Sequence, residues 1–284
     1  MTEVIRFPGK RVSNRPLAPA DIAQAIAQDR LVMHYQPQYD LNSGRCISAE
    51  ALVRIQGEDG KLIYPDRFIA QAETSAVSAI FGRVVIKKVL ADLARCRGVA
   101  LPRIAINLSA HQLAADTSLP AFFAEALQRF GLHHRDLEFE LTERQRLTPS
   151  GRRVLQVLAD RGARIVLDDV CTGHATIKQL HSLPISAFKL DRAAVRKMTG
   201  DERVRELLEM LFGIAGRLDL DVVAEGIENP EQAQLLLNVG CRYGQGFDFA
   251  RPMPIEQLQQ WIRSAAPQRE ANAASRAEQS LVSA

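Results

Sequence analysis

The chain has 284 residues, 46% of them hydrophobic, with 36 basic and 33 acidic side chains. This length and hydrophobic content can fill the core of one large domain, which excludes a disordered tail and a mini-protein. The near balance of charge provides no broad surface of one sign, which argues against extended nucleic-acid binding.

The two ends of the chain differ in composition from its middle. Residues 1–18 contain Pro8, Pro16 and a surplus of positive charge equal to that of the whole chain, which predicts a flexible basic N-terminal arm. Residues 265–284 are mostly Ala, Ser, Gln, Arg and Glu, which predicts a loose C-terminal tail. Between them, residues 19–264 show no linker-like composition, so we expect one domain there.

Eight short runs, apolar or alternating, have the length of β-strands. In chain order they are Leu31–Tyr35, Cys46–Ile55, Ile104–Leu108, Leu137–Thr142, Arg164–Asp168, Ala187–Leu190, Asp221–Ala224 and Tyr243–Phe247. Helical patterns lie between them. The clearest follows an i, i+3, i+4, i+7 spacing typical of a helix on a sheet and comprises Val204, Leu207, Leu208, Leu211, Phe212 and Ala215.

This alternation predicts an α/β fold, either a (β/α)8 barrel or an open doubly wound sheet. Polar side chains in, at the end of or just after seven successive strands favour the barrel, because a barrel gathers such residues at one mouth. They are Glu50, Asn107, Glu140, Asp168 with Asp169, Lys189, Glu225 and Gln245. Each alone could cap a turn or lie in solvent, but the succession favours a shared site.

Five carboxylates, an amide and a lysine form a hard, oxygen-rich donor set, which suits Mg²⁺ or Mn²⁺ better than Zn²⁺. So many acids suggest two cations, which could activate a water and clamp the oxygens of a phosphodiester. The neighbours Asp168 and Asp169 are suited to a bridging and a terminal ligand. Lys189 could orient the water or offset charge that develops on phosphate.

The residues around these positions form eight motifs in a fixed order. They are Tyr35-Gln36-Pro37, Glu50-Ala51-Leu52-Val53-Arg54, Asn107-Leu108-Ser109, Glu140-Leu141-Thr142-Glu143, Asp168-Asp169, Lys189-Leu190-Asp191-Arg192, Glu225-Gly226-Ile227-Glu228 and Gln245-Gly246-Phe247. In order and spacing the set resembles the EAL domain family, the bacterial cyclic di-GMP phosphodiesterases, over about residues 20–260.

The resemblance implies a TIM-like barrel whose first strand is antiparallel to the rest. It also implies metal-dependent hydrolysis of cyclic di-GMP to the linear dinucleotide, with two divalent cations, Mg²⁺ or Mn²⁺. The implied metal ligands are Glu50, Asn107, Glu140, Asp168, Asp169 and Glu225. The implied catalytic group is Lys189, beside the nucleophilic water, with Glu225 and Glu143. The implied substrate contacts are Gln36, Leu52, Arg54, Asp191 and Gln245.

The loop after the fifth predicted strand departs from the family pattern. Active members typically have Asp-Asp-Phe-Gly-Thr-Gly-Tyr-Ser-Ser there, whereas this chain has Val170, Cys171 and His174 in place of Phe, Gly and Tyr. A side chain in place of glycine can resist the backbone conformation that the loop needs. The alternative function is therefore a catalytically weak or inactive receptor that binds cyclic di-GMP or a protein partner.

The cysteine pattern and the lack of a long apolar run predict the compartment, and the family resemblance predicts the partners. The four cysteines form no Cys-x-x-Cys or Cys/His cluster, and no run approaches the ~20 apolar residues of a membrane span. We therefore expect a reduced cytoplasmic protein without membrane insertion. Cyclic di-GMP is the expected partner, with no DNA or RNA. A homodimer is also an expectation, since family members often dimerise beside the altered loop.

Overall fold

The computed structural model describes residues 15–96, 103–142, 147–170 and 182–264. Most of the predicted basic arm and all of the predicted C-terminal tail lie outside these ranges. Three residues singled out from the sequence, Glu143, Cys171 and His174, also lie outside them.

The described residues contain all eight predicted strands and one further short strand. The strands are β1 (Leu31–Asp40), β2 (Cys46–Gln56), β3 (Leu62–Ile63), β4 (Ile104–Asn107), β5 (Leu137–Thr142), β6 (Arg164–Val170), β7 (Ala187–Leu190), β8 (Asp221–Ala224) and β9 (Tyr243–Gly244). The two-residue β3 was not predicted, because an alternating pattern needs about four residues to be detected.

The helices alternate with the strands. They are α1 (Pro19–Ala27), α2 (Ile69–Thr74), α3 (Ser78–Arg95), α4 (Ala110–Ala115), α5 (Leu119–Phe130), α6 (Pro149–Asp160), α7 (Arg192–Met198), α8 (Glu202–Arg217) and α9 (Pro230–Asn238). Residues 255–264 are also helical. Among the described helices, none has both the length and the apolar character needed to span a bilayer.

The strands close into a barrel. Parallel pairing runs in the order β2, β4, β5, β6, β7, β8, β9. Strand β1 closes the ring by pairing antiparallel with both β2 and β9. The predicted barrel with an antiparallel first strand is therefore confirmed. Because parallel neighbours point the same way, the carboxyl ends of seven strands meet at one mouth.

Helices cover the outside of the barrel, so the strands are buried on both faces. In β5, five of the six residues are buried, as expected where helices cover a parallel sheet. Helix α3 contributes a long buried stripe that includes Phe81, Val85 and Leu93. The predicted core stripe of α8 is wrong in one residue: Leu208 and Phe212 are buried, but Leu207 is 60% exposed. Apolar side chains cover about half of the circumference of α8, more than the core buries, so periodicity alone could not identify the inner face.

Ion pairs lie at the end of the barrel opposite the mouth. Glu138 is buried, and its carboxylate accepts a hydrogen bond from Ser48 Oγ at 2.9 Å and pairs with Arg103 Nη1 at 2.9 Å. Arg164 Nη2 lies 2.5 Å from Asp221 Oδ2. Residues at this end of a barrel usually serve stability, which distinguishes them from the acids at the mouth.

Candidate active site

The acids predicted to converge do so around one buried lysine. Lys189, on β7, is 1% exposed. Its Nζ lies 2.6 Å from Glu225 Oε1, 3.1 Å from both Glu50 Oε2 and Glu140 Oε2, and 3.8 Å from Asp168 Oδ1. Four strands and the segment after β8 thus supply charged groups to one centre, as the barrel topology requires.

Amide side chains hold one of these acids in place. Asn107 Nδ2, at the end of β4, donates to Glu50 Oε1 at 3.1 Å. Gln245 Nε2, just after β9, donates to Glu50 Oε2 at 2.7 Å and to Gln36 Oε1 at 3.0 Å. Gln36 Nε2 in turn donates to the carbonyl of Ala250 at 3.1 Å. Both oxygens of Glu50 are therefore oriented by donors from other parts of the barrel.

A backbone irregularity brings the neighbouring acids Asp168 and Asp169 to the same side of β6. In a regular strand, adjacent side chains project to opposite faces. Asp169 has a φ of 59°, in the left-handed region, and the register of β6 against β7 shifts between Leu167 and Val170. As a result, carboxylate oxygens of Asp168, Asp169 and Glu225 lie within 4.8 Å of one another. Strained backbone of this kind recurs at functional sites.

Two glycines directly follow Glu225 and Gln245, the site residues that come just after β8 and β9. A Cβ at Gly246 would lie 2.0 Å from the carbonyl oxygen of Ile227. A Cβ at Gly226, whose φ is 69°, would lie 2.3 Å from Arg192 Cβ. Glycine at 246 therefore lets the segments that carry the carboxylate and the amide lie side by side, and glycine at 226 lets the segment after β8 approach the start of α7.

Burial dominates the electrostatics of the centre. It raises the pKa of Glu140 well above its usual range, with added repulsion from Glu50, and it also raises the pKa of Asp168. It raises the pKa of Glu225 to about 8. Burial would also raise the pKa of Glu50, but Lys189 and the amide donors outweigh it, so that pKa is lowered. Burial disfavours the Lys189 ammonium, yet the surrounding carboxylates outweigh this effect and raise its pKa well above the usual value.

The donor set fits divalent cations of the hard, oxygen-binding kind. Among the described residues, Glu140 Oε1 is buried and has no hydrogen-bond partner. A buried acceptor without a partner is costly, and a cation would satisfy it. The cluster of Asp168, Asp169 and Glu225 contains carboxylates alone, without imidazole or thiolate, which suits Mg²⁺ or Mn²⁺.

A pocket of about 330 Å³ extends from this centre towards helices α2 and α3. Glu50, Asn107 and Glu140 line its inner end. Its outer walls are mostly apolar and include Leu52, Pro65, Ile69, Phe81 and Val85. A cleft with apolar walls and a few polar groups at one end is typical of a small-molecule site. Of these wall residues only Leu52 was predicted, because the others look like ordinary core positions in the sequence.

The other predicted substrate contacts lie near the centre but have partners within the protein. Arg54 is 5% exposed, donates to the carbonyl of Val53 at 2.9 Å and lies 5.1 Å from the ring centroid of Tyr64. Asp191 accepts a hydrogen bond from the backbone of Ala193 at 2.7 Å and caps α7. Gln36 and Gln245 belong to the hydrogen-bond chain that ends on Glu50.

Comparison with known proteins identifies relatives over the same region. The family model described as EAL domain matches residues 20–252. Cyclic di-GMP phosphodiesterase PdeR of Escherichia coli is 36% identical over 247 residues, 86% of this chain and 37% of PdeR. Signaling protein YkoW of Bacillus subtilis is 34% identical over 245 residues, 85% of this chain and 30% of YkoW. The chain therefore spans about a third of the length of these curated relatives.

Solved structures share the fold. The phosphodiesterase MucR in complex with c-di-GMP superposes with a TM-score of 0.77 at 32% identity, covering 84% of this chain and 98% of that one. EAL enzyme Bd1971 in its cAMP-bound form gives a TM-score of 0.80 at 26% identity, covering 86% of this chain and 69% of that one.

Proposed function

Because this chain belongs to the EAL domain family, we propose that it is a phosphodiesterase that hydrolyses cyclic di-GMP to the linear dinucleotide. The observation that carries the proposal is the convergence of Glu50, Glu140, Asp168 and Glu225 on Lys189 at the mouth of the barrel. A protein that only bound the ligand would have no need for so many buried like charges, which are costly to desolvate.

The proposal includes two divalent cations, Mg²⁺ or Mn²⁺. Their ligands would be Glu50, Asn107, Glu140, Asp168, Asp169 and Glu225, with Asp168 shared between the two sites. The short distances among Asp168, Asp169 and Glu225 and the unpartnered Glu140 Oε1 support this assignment. Bound cations would lower the pKa of an attacking water and offset negative charge on the phosphodiester oxygens.

The side chains around the cations would orient the metal ligands and add positive charge beside the phosphate. Lys189, held protonated by its carboxylate neighbours, would add positive charge beside the reacting phosphate. Asn107 and Gln245 would keep both oxygens of Glu50 in a fixed direction. Glu143, which lies outside the described residues, remains a proposed support of the loop after β6.

Substrate would lie across the mouth, with its phosphodiester at the acids and one nucleoside in the adjoining apolar pocket. Leu52 lines that pocket. Arg54 would contact phosphate, and its Nε, buried and without a hydrogen-bond partner among the described residues, supports this role. Asp191, Gln36 and Gln245 remain proposed contacts to substrate or to the groups that position it.

The remaining proposals concern the domain boundaries, the oligomeric state and the cell compartment of the protein. We assign the catalytic domain to residues 19–264, flanked by the arm of residues 1–18 and the tail of residues 265–284. We also propose a homodimer in the cytoplasm. The thiols of Cys96 and Cys241, which are buried and not joined in a disulfide, support a reducing compartment.

A product assay tests the proposed activity. The purified chain is incubated with cyclic di-GMP and Mg²⁺ or Mn²⁺, and the products are separated by chromatography. We expect the linear dinucleotide from the natural chain and none from Glu50→Ala, which removes a ligand oriented by two amides. Binding of cyclic di-GMP without product would contradict catalysis and favour the receptor function.

A further inference from the structure

Strand β1 directs alternate side chains towards the helices and towards the interior of the barrel. The core beneath the helices buries three of them, Leu31, Met33 and Tyr35. Gln36 faces the interior, because its side chain accepts a hydrogen bond from Gln245, which also donates to Glu50. Since every second residue of a strand projects to the same face, His34 faces the interior as well.

His34 lies on the mouth side of Gln36. Strand β1 is antiparallel to β2, whose carboxyl end is at the mouth, so the residues that precede Gln36 lie nearer to the mouth. Two residues of strand correspond to about 7 Å. His34 is paired with Leu52, which lines the pocket beside the acids, and its side chain is only half-buried. The imidazole is therefore at the rim of the proposed substrate site.

The surroundings keep this imidazole neutral. Tyr35 and Met253 exchange two backbone hydrogen bonds, at 2.7 and 3.0 Å, which bring the backbone of Pro252 beside His34. Burial lowers the pKa of His34, Arg54 lowers it further, and the Pro252 backbone opposes this only in part. The ring nitrogen beside Pro252 carries the proton of the neutral ring, so the other nitrogen is a hydrogen-bond acceptor.

We propose that His34 is a specificity-determining substrate contact, whose unprotonated ring nitrogen accepts a hydrogen bond from an O–H or N–H group of the cyclic dinucleotide. This inference rests on the proposed function. An ionised phosphodiester carries no hydrogen to donate, so the donor is a ribose 2′-hydroxyl or the N–H edge of a guanine. His34 therefore recognises a part of the ligand that the acids and their cations do not bind.

His34 and Arg54 differ in the groups that they can bind. Both face the interior on neighbouring strands, since Arg54 is two residues beyond Leu52, the partner of His34 in the β1–β2 pairing. A guanidinium only donates hydrogen bonds and suits phosphate oxygens, whereas a neutral imidazole nitrogen accepts them. A ligand with phosphates but without the donor group would leave the His34 nitrogen unpaired and would bind more weakly.

Isothermal titration calorimetry with cyclic di-GMP and Ca²⁺, a hard oxygen-binding cation, measures the contribution of His34 to binding. Chromatography of the titrated sample checks that the ligand is intact. His34→Phe keeps a planar ring without an acceptor and should raise the Kd about tenfold, as expected for one lost hydrogen bond. His34→Gln keeps one donor and one acceptor, so its Kd should stay within about threefold of the natural value.

The matched control is His133→Phe. The side chain of His133 is 64% exposed and precedes β5, at the end of the barrel opposite the mouth, so its replacement should leave the Kd unchanged. Circular dichroism checks that each variant is folded. An unchanged Kd in His34→Phe, or a Kd in His34→Gln as high as in His34→Phe, would overturn the inference.

An analogue of cyclic di-GMP that lacks both 2′-hydroxyls identifies the donor. If the donor is a hydroxyl, the analogue should bind the natural chain about tenfold more weakly than cyclic di-GMP, and His34→Phe should bind both equally. An equal ratio of the two Kd values in both proteins would assign the contact to guanine. A natural chain that binds cyclic di-GMP but yields no linear dinucleotide with Mn²⁺ would overturn only the proposed activity, whereas a chain that does not bind it would overturn both proposals.

Discussion

Lys189 is the only cation of the described site that contacts its buried acids directly. Replacement by Met would leave Glu50, whose pKa is lowered and which is therefore ionised at neutral pH, buried without its counter-charge. Removing one partner of a buried ion pair costs about 3–5 kcal/mol, so the free energy of unfolding in the presence of EDTA should fall by roughly that amount. Urea titration followed by circular dichroism measures it.

The matched control is Lys61→Met, since the Lys61 side chain is 73% exposed and its ion pair with Asp59 lies in solvent. This variant should unfold at nearly the same urea concentration as the natural chain. Equal stability of the Lys189 and Lys61 variants would show that Lys189 is not the counter-charge of the acids.

Metal binding should release a proton from Glu225. Burial raises the pKa of Glu225 to about 8, so in the metal-free protein this carboxyl is protonated at neutral pH. A cation needs the carboxylate and must displace the proton, so affinity for Mn²⁺ should rise with pH up to about 8, by roughly tenfold per unit for one proton.

Isothermal titration calorimetry in buffers of different ionisation enthalpy counts the protons released. In Glu225→Gln the slope of log affinity against pH should decrease by about one, because one titrating ligand is lost. A slope that is the same in both proteins would place the proton on another group.

The acids of the site could be identified from the sequence, but their geometry could not. Asp168 and Asp169 stood out because two adjacent carboxylates ended an apolar strand. Regular strand geometry would have sent them to opposite faces. The positive φ of Asp169, which brings both to the same centre, depends on the local register of β6 and β7 and has no signature in the residue types.

At the scale of elements, a partly buried hydrogen bond joins β1 to α3. Tyr35, which is fully buried, donates from its hydroxyl to Asp92 Oδ2 at 2.7 Å. In Tyr35→Phe the Asp92 carboxylate loses this donor, and loss of one such hydrogen bond costs about 0.5–1.5 kcal/mol. Urea unfolding should detect the loss. Tyr64→Phe, at a residue that is 55% exposed, should be neutral, and an equal effect of both variants would contradict this role.

Two substitutions distinguish this chain from typical active members at the end of β6: Val170 is the last residue of the strand, and Cys171 follows it. Val170 is 3% exposed and packs in the core beside β7 and β8. Val170→Phe should therefore overpack the core and cost about 1–3 kcal/mol of stability. Cys171→Gly adds no volume and should raise kcat for cyclic di-GMP by restoring backbone freedom. An unchanged kcat in the glycine variant would mean that the loop tolerates Cys171.

Most elements could be predicted from the sequence, and the main error, in the buried face of α8, has a physical cause. All eight barrel strands follow from short apolar or alternating runs. The inner face of α8 was misassigned at Leu207 because the apolar residues of that helix extend beyond the face that the core buries. Local periodicity reports which residues are apolar, whereas burial depends on which surface packs against them.

At the scale of the whole molecule, the closed barrel explains why residues far apart in sequence meet. Glu50 and Gln245 are separated by 195 positions, yet their side chains are hydrogen-bonded at 2.7 Å. The order of the strand-end motifs was enough to predict this convergence. The apolar pocket and the ion pairs around Glu138 were not predicted, since each is assembled from several elements whose residues look like ordinary core or surface positions.

Anomalous diffraction from crystals of the natural chain grown with Mn²⁺ and cyclic di-GMP tests the central claim most directly. The account predicts two Mn²⁺ peaks about 3.5–4 Å apart. One peak should lie within ligand distance of Glu50 and Glu140, the other should contact Glu225, and both should contact Asp168. Peaks elsewhere in the molecule, or none beside these carboxylates, would contradict the account.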